Sequence, residues 1–305
     1  MTTAFVLSGG GNLGAVQVGM LRALHERRIV PDLLVGTSVG ALNAAHLAGG
    51  GLTADVLDDL AAVWRRVRRK DVFPLDPVRQ LLAVAGRLPS LCSSGALRRL
   101  IADNVAHRQL EDATIPLLLV ATDVRTGEPA CLSTGDTVSA VLASTAIPGV
   151  FPAVERDGVA LCDGAVAANA GISQAVAQHA DEIYLLPAGY ACALTYAPAT
   201  ALSAALHALS LLIQRQSQLE VAHLVGRVDL HVLPPLCPLS VAPLDFSRAA
   251  ELIGRGYQAT SSWLAKGSDR RPHPERYLAL HDHQHDRDGP ICPTAAADEP
   301  PPRAA

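Results

Sequence analysis

Short runs made only of apolar residues alternate along this chain with longer stretches in which apolar residues recur every three to four positions. Residues 5–7 and 33–35 are the first two such runs, and between them Val16, Met20, Leu21 and Leu24 recur at helical spacing over about 13–27. A strand without polar alternation is buried on both faces. Strand, helix, strand in this form therefore predicts a parallel pair joined by a right-handed crossover. The pattern continues with an apolar strand at 115–121, residues 131–133 as its return partner, and a helix over 137–144 capped by Asp136. The run 147–152, with Pro148 and Pro152, ends that helix, and Asp157-Gly158 predicts a tight hairpin whose second strand is 159–162. Strands at 182–186 and 228–233 alternate with helices at 200–223 and 247–266, and amphipathic helices over 75–110 form an excursion over the sheet. The fold class expected is α/β with a largely parallel central sheet, in one domain over 1–267. Beyond Gly267 the chain turns to Pro, Asp, His and Ala, which predicts a disordered tail over 268–305. His281, His283 and His285 lie in that tail without partner ligands, so no metal is expected there.

Composition narrows the function more than the fold. Hydrophobic residues make up 49% of the chain but aromatics only 4%, so alanine, leucine and valine must form the core. A formal charge of −4 gives no basis for binding nucleic acid. The longest candidate apolar run, 201–213, contains His207 and is too short for a membrane span. No basic stretch precedes the first strand, so no signal peptide is expected, and the six cysteines lack ligand spacing. Together these point to a cytoplasmic protein with reduced thiols. A helix over 53–70 starts with Asp55, Asp58 and Asp59 and ends with Arg65, Arg66, Arg68, Arg69 and Lys70. Its basic end offers a peripheral contact to anionic lipid head groups; the preferred reading is a solvated helix whose charges offset its macrodipole.

The candidate chemistry sits at the carboxyl ends of the first two strands. Gly36-Thr37-Ser38-Val39-Gly40 follows the second strand and precedes a helix beginning at Ala41. In that context a serine stands exposed on a sharp turn, and the helix start aims its N–H groups at the site. The first strand leads into Gly9-Gly10-Gly11-Asn12-Leu13-Gly14, which also fits a dinucleotide fingerprint. That reading requires an acid at the end of the second strand, where Val35-Gly36-Thr37-Ser38 stands instead. The alternative is that the consecutive glycines Gly9, Gly10 and Gly11 form a backbone nest for an oxyanion. His46 lies eight residues along the elbow helix, about 12 Å away and too far to take the Ser38 proton. Two strand-end carboxylates are better placed. Asp123 leads into a turn at Thr126-Gly127 that accounts for it structurally, whereas Asp163 ends a tightly specified hairpin and is followed by Gly164 and Ala165. Asp163 is the preferred base.

With these motifs in hand, the chain resembles the patatin-like phospholipase family. The resemblance rests on the glycine loop at 9–14, the elbow at 36–40, Ala143-Ser144 with Pro148, Phe151 and Pro152, and Asp163-Gly164-Ala165, all in family order. It implies a three-layer α/β/α fold, a Ser38–Asp163 dyad, an oxyanion hole of Gly10 and Gly11 N–H groups, and hydrolysis of lipid acyl esters without a metal or other cofactor. Leu13 stands where the family usually carries Arg or Lys, and Gly171 where proline is common. Three alternatives stay open: a Ser-His-Asp esterase using His179 or His231, an inactive lipid-binding protein, and a nucleotide-binding protein.

Overall fold

A computed structural model describes residues 1–267 and 274–280, apart from residues 195 and 243. In chain order the strands are β1 (Thr3–Leu7), β2 (Leu33–Thr37), β3 (Leu117–Asp123), β4 (Pro129–Leu132), β5 (Val154–Arg156), β6 (Val159–Asp163), β7 (Glu182–Leu186) and β8 (Asp229–Val232). The helices are α1 (Ala15–Glu26), α2 (Val39–Gly50), α3 (Ala54–Arg66), α4 (Arg69–Val72), α5 (Pro77–Val84), α6 (Gly95–Ala102), α7 (Thr137–Ser144), α8 (Ala165–Ala168), α9 (Ile172–Ala177), α10 (Ala201–Leu224) and α11 (Ala249–Ala265). All eight strands form one sheet, in which β3, β2, β1, β7 and β8 are mutually parallel. The wholly apolar runs are its buried centre: Phe5, Val6, Leu7, Leu34 and Val35 are inaccessible to solvent.

Helices cover both faces, for a reason visible in β2. Successive residues of a strand point to opposite faces. A side chain on Gly36 would collide with Ala41 of α2, while the Val35 side chain lies against Gly171 at the start of α9. Hence α2 and α9 occupy opposite faces, which gives the three layers. Helices α1, α3 and α7 stack around α2, and α10 lies on α8 and α9.

The pairing of β3 positions the site. Leu119 and Val120 pair with both β2 and β4, and Ala121 and Thr122 pair with both β4 and β6. A strand has two edges, so β4 takes one and β2 and β6 share the other. On that shared edge β2 is parallel to β3 and β6 antiparallel, so their carboxyl ends meet head to head. Thr37 sits opposite Val120, and Asp163 opposite the next residue, Ala121. Residues 125 positions apart in sequence, Ser38 and Asp163, are thereby delivered to one point.

Two expectations are corrected. The helix expected over 53–70 breaks: α3 ends at Arg66, Val67 is extended with ψ 135°, and α4 starts afresh at Arg69 with the Arg68 N–H held by Asp71. Val67 is buried, so the break serves packing. The domain boundary expected at 267 leaves out a packed segment. Pro274–Leu278 forms a 3-10 turn in which Tyr277 and Leu278 are buried, and Gln214 of α10 donates to the Leu278 carbonyl at 2.8 Å. His281, His283, His285 and the rest of the expected tail lie outside the described residues. A stop codon after Gly267 should therefore destabilise the protein by about 3 kcal/mol, the burial of one large apolar side chain or more. Thermal unfolding should show it as a fall of several degrees relative to a stop after residue 280. An unchanged melting temperature would mean the segment contributes nothing.

Candidate active site

Ser38 joins β2 to α2 at φ 54° and ψ −123°, a conformation that side-chain-bearing residues rarely adopt. The neighbouring glycines make the turn sterically feasible. A Cβ on Gly40 would lie 2.0 Å from the Leu7 carbonyl oxygen, so only glycine lets the first turn of α2 approach the end of β1. The Ser38 N–H donates to Ser144 Oγ at 2.9 Å, and that hydroxyl donates to the Val120 carbonyl at 2.6 Å. Ser144 thus bridges the elbow to β3 where β2 stops pairing. Ser144 stands in the Ala143-Ser144 motif, but its bridging role is not visible in the sequence; its place four residues before Pro148 is the available signal.

The Ser38 hydroxyl donates to Asp163 Oδ2 at 2.7 Å. The other carboxylate oxygen, Oδ1, accepts the Ala165 N–H at 2.9 Å, and Thr122 Oγ1 donates to the Asp163 carbonyl at 2.8 Å. Gly164 permits this, since a Cβ there would meet the Val120 carbonyl oxygen at 2.1 Å. Asp163 is only 3% exposed. Burial raises its pKa to about 6, against the opposing effect of the Ser38 and Ala165 hydrogen bonds. A carboxylate that is a poor base at its ordinary pKa thus becomes matched to a weakly acidic medium.

The glycine loop reaches the same point from β1. Gly9 is not available to an oxyanion, contrary to the expectation that included it: its N–H donates to Asn169 Oδ1 at 3.0 Å, and Asn169 Nδ2 donates to Ser217 of α10 at 2.9 Å. Asn169, buried and unnoticed in the sequence, therefore ties the loop to α10. Gly10 and Gly11 line a cavity together with Ser38 and Asp163. A Cβ on Gly10 would stand 2.4 Å from that of Ala188. Gly10→Ala must therefore shift the loop, and turnover should fall by roughly 10²-fold or more, as for loss of one oxyanion donor. Full turnover in a normally folded Gly10→Ala protein would remove the loop from the mechanism.

Two cavities meet at Ser38, and both are also lined by Gly11, Phe73 and Ile147. The first is walled mainly by apolar side chains that include Val63, Trp64, Leu97, Phe151 and Phe246. The second runs between the glycine loop and α10 and is lined by Asp163, His207, Ser210 and Ile213 among others. Leu13 is buried against this second space, so no charge of its own steers the site. Gly171 has φ 69°, which proline cannot adopt, and this accounts for the departure at that position.

The other candidates fall elsewhere. Asp123 Oδ1 accepts the Arg125 N–H at 2.8 Å and organises its own turn. His46 Nδ1 lies 2.7 Å from the Asn104 carbonyl oxygen. His231 pairs with Glu182, the first residue of β7, and with Asp229, the first of β8, at the amino end of the sheet. His179 sits in the turn before β7, at that same end. Among the described histidines, His207 alone lines a cavity shared with Ser38 and Asp163. Glu182, Asp229 and His231 are the one group of described residues with metal-ligand spacing, and they lie far from the elbow.

The sequence profile of patatin-like phospholipase matches residues 5–176, from β1 through the glycine loop, the elbow and Asp163 to α9. The chain belongs to the patatin-like phospholipase family. A Mycobacterium tuberculosis protein described as an uncharacterized NTE family protein is 30% identical over 168 residues, covering 53% of this chain and 42% of that protein. The rat patatin-like phospholipase domain-containing protein 7 is 30% identical over 167 residues, or 53% of this chain and 12% of its own length. A lysophospholipase of Aspergillus oryzae is 26% identical over 188 residues, covering 62% of this chain and 12% of that enzyme. The chain thus spans less than half the length of these relatives. Among solved structures, VipD from Legionella pneumophila aligns with a TM-score of 0.45 and 16% identity, over 87% of this chain and 67% of VipD. The patatin-like match ends at residue 176, so α10, which walls the second cavity, lies outside it.

Proposed function

We propose that this patatin-like protein hydrolyses lipid acyl esters, phospholipids or lysophospholipids, through a Ser38–Asp163 dyad. The observation that carries the proposal is the 2.7 Å hydrogen bond to a buried carboxylate from the hydroxyl of Ser38, which stands at the junction of two cavities, one of them walled mainly by apolar side chains. Family membership and the lysophospholipase among its relatives support the substrate class.

In this mechanism Ser38 Oγ attacks the ester carbonyl carbon while its proton passes to Asp163 Oδ2. The carbonyl oxygen becomes an oxyanion held by the N–H groups of Gly10 and Gly11, in a site that water reaches poorly. Collapse of the tetrahedral intermediate expels the alcohol, which takes the proton from Asp163 and leaves an acyl-Ser38. Water then attacks that acyl group, giving its proton to Asp163, and the acyl–Oγ bond breaks to release the fatty acid as Asp163 returns the proton to Ser38 Oγ. No step requires a metal or cofactor. The apolar cavity suits the acyl chain, and the second, more polar cavity suits the departing alcohol.

No helix among the described residues is long and apolar enough to cross a membrane. The described cysteines are thiols, which suits a reducing compartment such as the cytoplasm. The test of function is acyl release from a short soluble ester and from a lysophospholipid by wild type beside Ser38→Ala. Release by wild type alone supports the proposal; no release by wild type under any condition points instead to an inactive lipid-binding protein.

A further inference from the structure

Helix α5 leaves a row of large apolar side chains in solvent. Asp76 caps it by accepting the Arg79 N–H at 2.9 Å and Pro77 opens it, so its ends are in order. Yet Leu75, Val78, Leu81 and Val84 are 69%, 70%, 71% and 81% exposed, while Arg79 and Gln80 are half-buried together with Leu82 and Ala83. Arg79 Nη2 donates to Ser90 Oγ at 2.8 Å, and Ser90 is buried. On the helix, three-residue spacing sets Val78, Leu81 and Val84 along one side, and Leu75 stands just before its cap. Single exposed leucines are ordinary; a contiguous apolar stripe over an inward-facing arginine is an interaction surface.

Two observations identify what covers it. Residues 65–99 carry nine Arg and Lys against only Asp71 and Asp76, a local charge of +7 in a chain of net −4. Eight of the nine, all but Arg79, are exposed, and none forms a salt bridge with another described residue. Apolar side chains flanked by unneutralised cations match a bilayer with anionic head groups. The stripe also begins at the mouth of the site. Phe73, two residues before Leu75, lines both cavities at Ser38, and Val72 lines the apolar one.

We infer that α5 and its basic surroundings dock on an anionic phospholipid bilayer, placing the apolar cavity at the membrane surface. The sequence reading of Arg65–Lys70 as merely solvated thus gives way to a docking role shared with α5. The inference extends the proposed function from a lipid ester to the bilayer that holds it, and binding is read separately from turnover so that each can fail alone.

The experiment is co-sedimentation of the full-length protein, as Ser38→Ala to spare the lipid, with phosphatidylcholine vesicles and with vesicles about one third phosphatidylglycerol. Binding to the anionic vesicles is expected, weakening as salt rises. Leu81→Gln with Val84→Gln should weaken it at least tenfold. Lys70→Gln with Arg87→Gln should cost about fivefold per charge on anionic vesicles and little on neutral ones. On the Ser38 background both pairs should turn over a short soluble ester within about twofold of wild type. Equal vesicle binding by the Leu81/Val84 variant overturns the inference. So does a dimer in analytical ultracentrifugation that this variant converts to monomer, since a second copy then covers the stripe. Vesicle binding that behaves as expected in a protein without ester turnover leaves docking standing and removes the hydrolase.

Discussion

Asp163→Asn should lower kcat by about 10²–10⁴-fold, the span for removing a positioned general base, while the fold persists. Asparagine can still accept the Ala165 N–H and meet the Ser38 hydroxyl, so what is lost is the proton acceptor. The pH profile gives a second signature. In the proposed mechanism Asp163 must be ionised to act as base, and its pKa is raised to about 6, so wild-type kcat/KM should fall as pH drops through about 6. A histidine base would titrate in the same range, so the wild-type limb alone does not separate dyad from triad. The variants do: Asp163→Asn should lose the limb along with most of the rate, and His207→Gln should keep both. Stability should move the opposite way. A carboxyl whose folded pKa lies near 6 rather than 3.8 destabilises the fold increasingly as pH rises from about 4 through 6, by about 3 kcal/mol in all. Asparagine escapes that penalty. The melting temperature of Asp163→Asn relative to wild type should therefore be higher at pH 8 than at pH 4, a loss of activity paired with a gain in stability.

Ser38→Ala should abolish turnover of every ester, because no other described side chain donates to Asp163 from the two cavities. Comparison with Ser38→Gly separates chemistry from backbone. Both variants lose the nucleophile and its bond to Asp163, but only glycine adopts φ 54° without a Cβ penalty. Ser38→Gly should melt above Ser38→Ala by a few degrees, the effect of relieving about 1–2 kcal/mol of backbone strain. Equal melting temperatures would mean the elbow is relaxed in the alanine protein and the strain is not stored at this residue.

Most of the sheet was legible because its strands are buried on both faces and read as unbroken apolar runs. The elbow and the Asp163-Gly164 motif were legible for a related reason: close backbone approach leaves no choice of residue at Gly40 or Gly164. Strand pairing was not legible. Nothing in the apolar run 159–162 says that β6 lies on the same edge of β3 as β2, and that arrangement alone explains why Asp163, rather than Asp123 forty residues earlier, faces Ser38. Ser144 and Asn169 were missed because small polar residues that bond to backbone leave no periodic trace. The same limit hid the docked segment at Pro274–Leu278, where two apolar residues in a polar, proline-rich stretch are too few to form a pattern. Gly19 and Gly256, where α1 and α11 press backbone to backbone, were likewise invisible to a reading based on apolar spacing.

The most direct test of the dyad is the rate and position of covalent labelling by a fluorophosphonate, with the adduct located by peptide mass spectrometry. One adduct per chain is expected on the peptide containing Ser38, none in Ser38→Ala, with labelling slowed at least about 10²-fold in Asp163→Asn. Labelling of Ser38→Ala at the wild-type rate, or of Asp163→Asn as fast as wild type, would contradict the dyad.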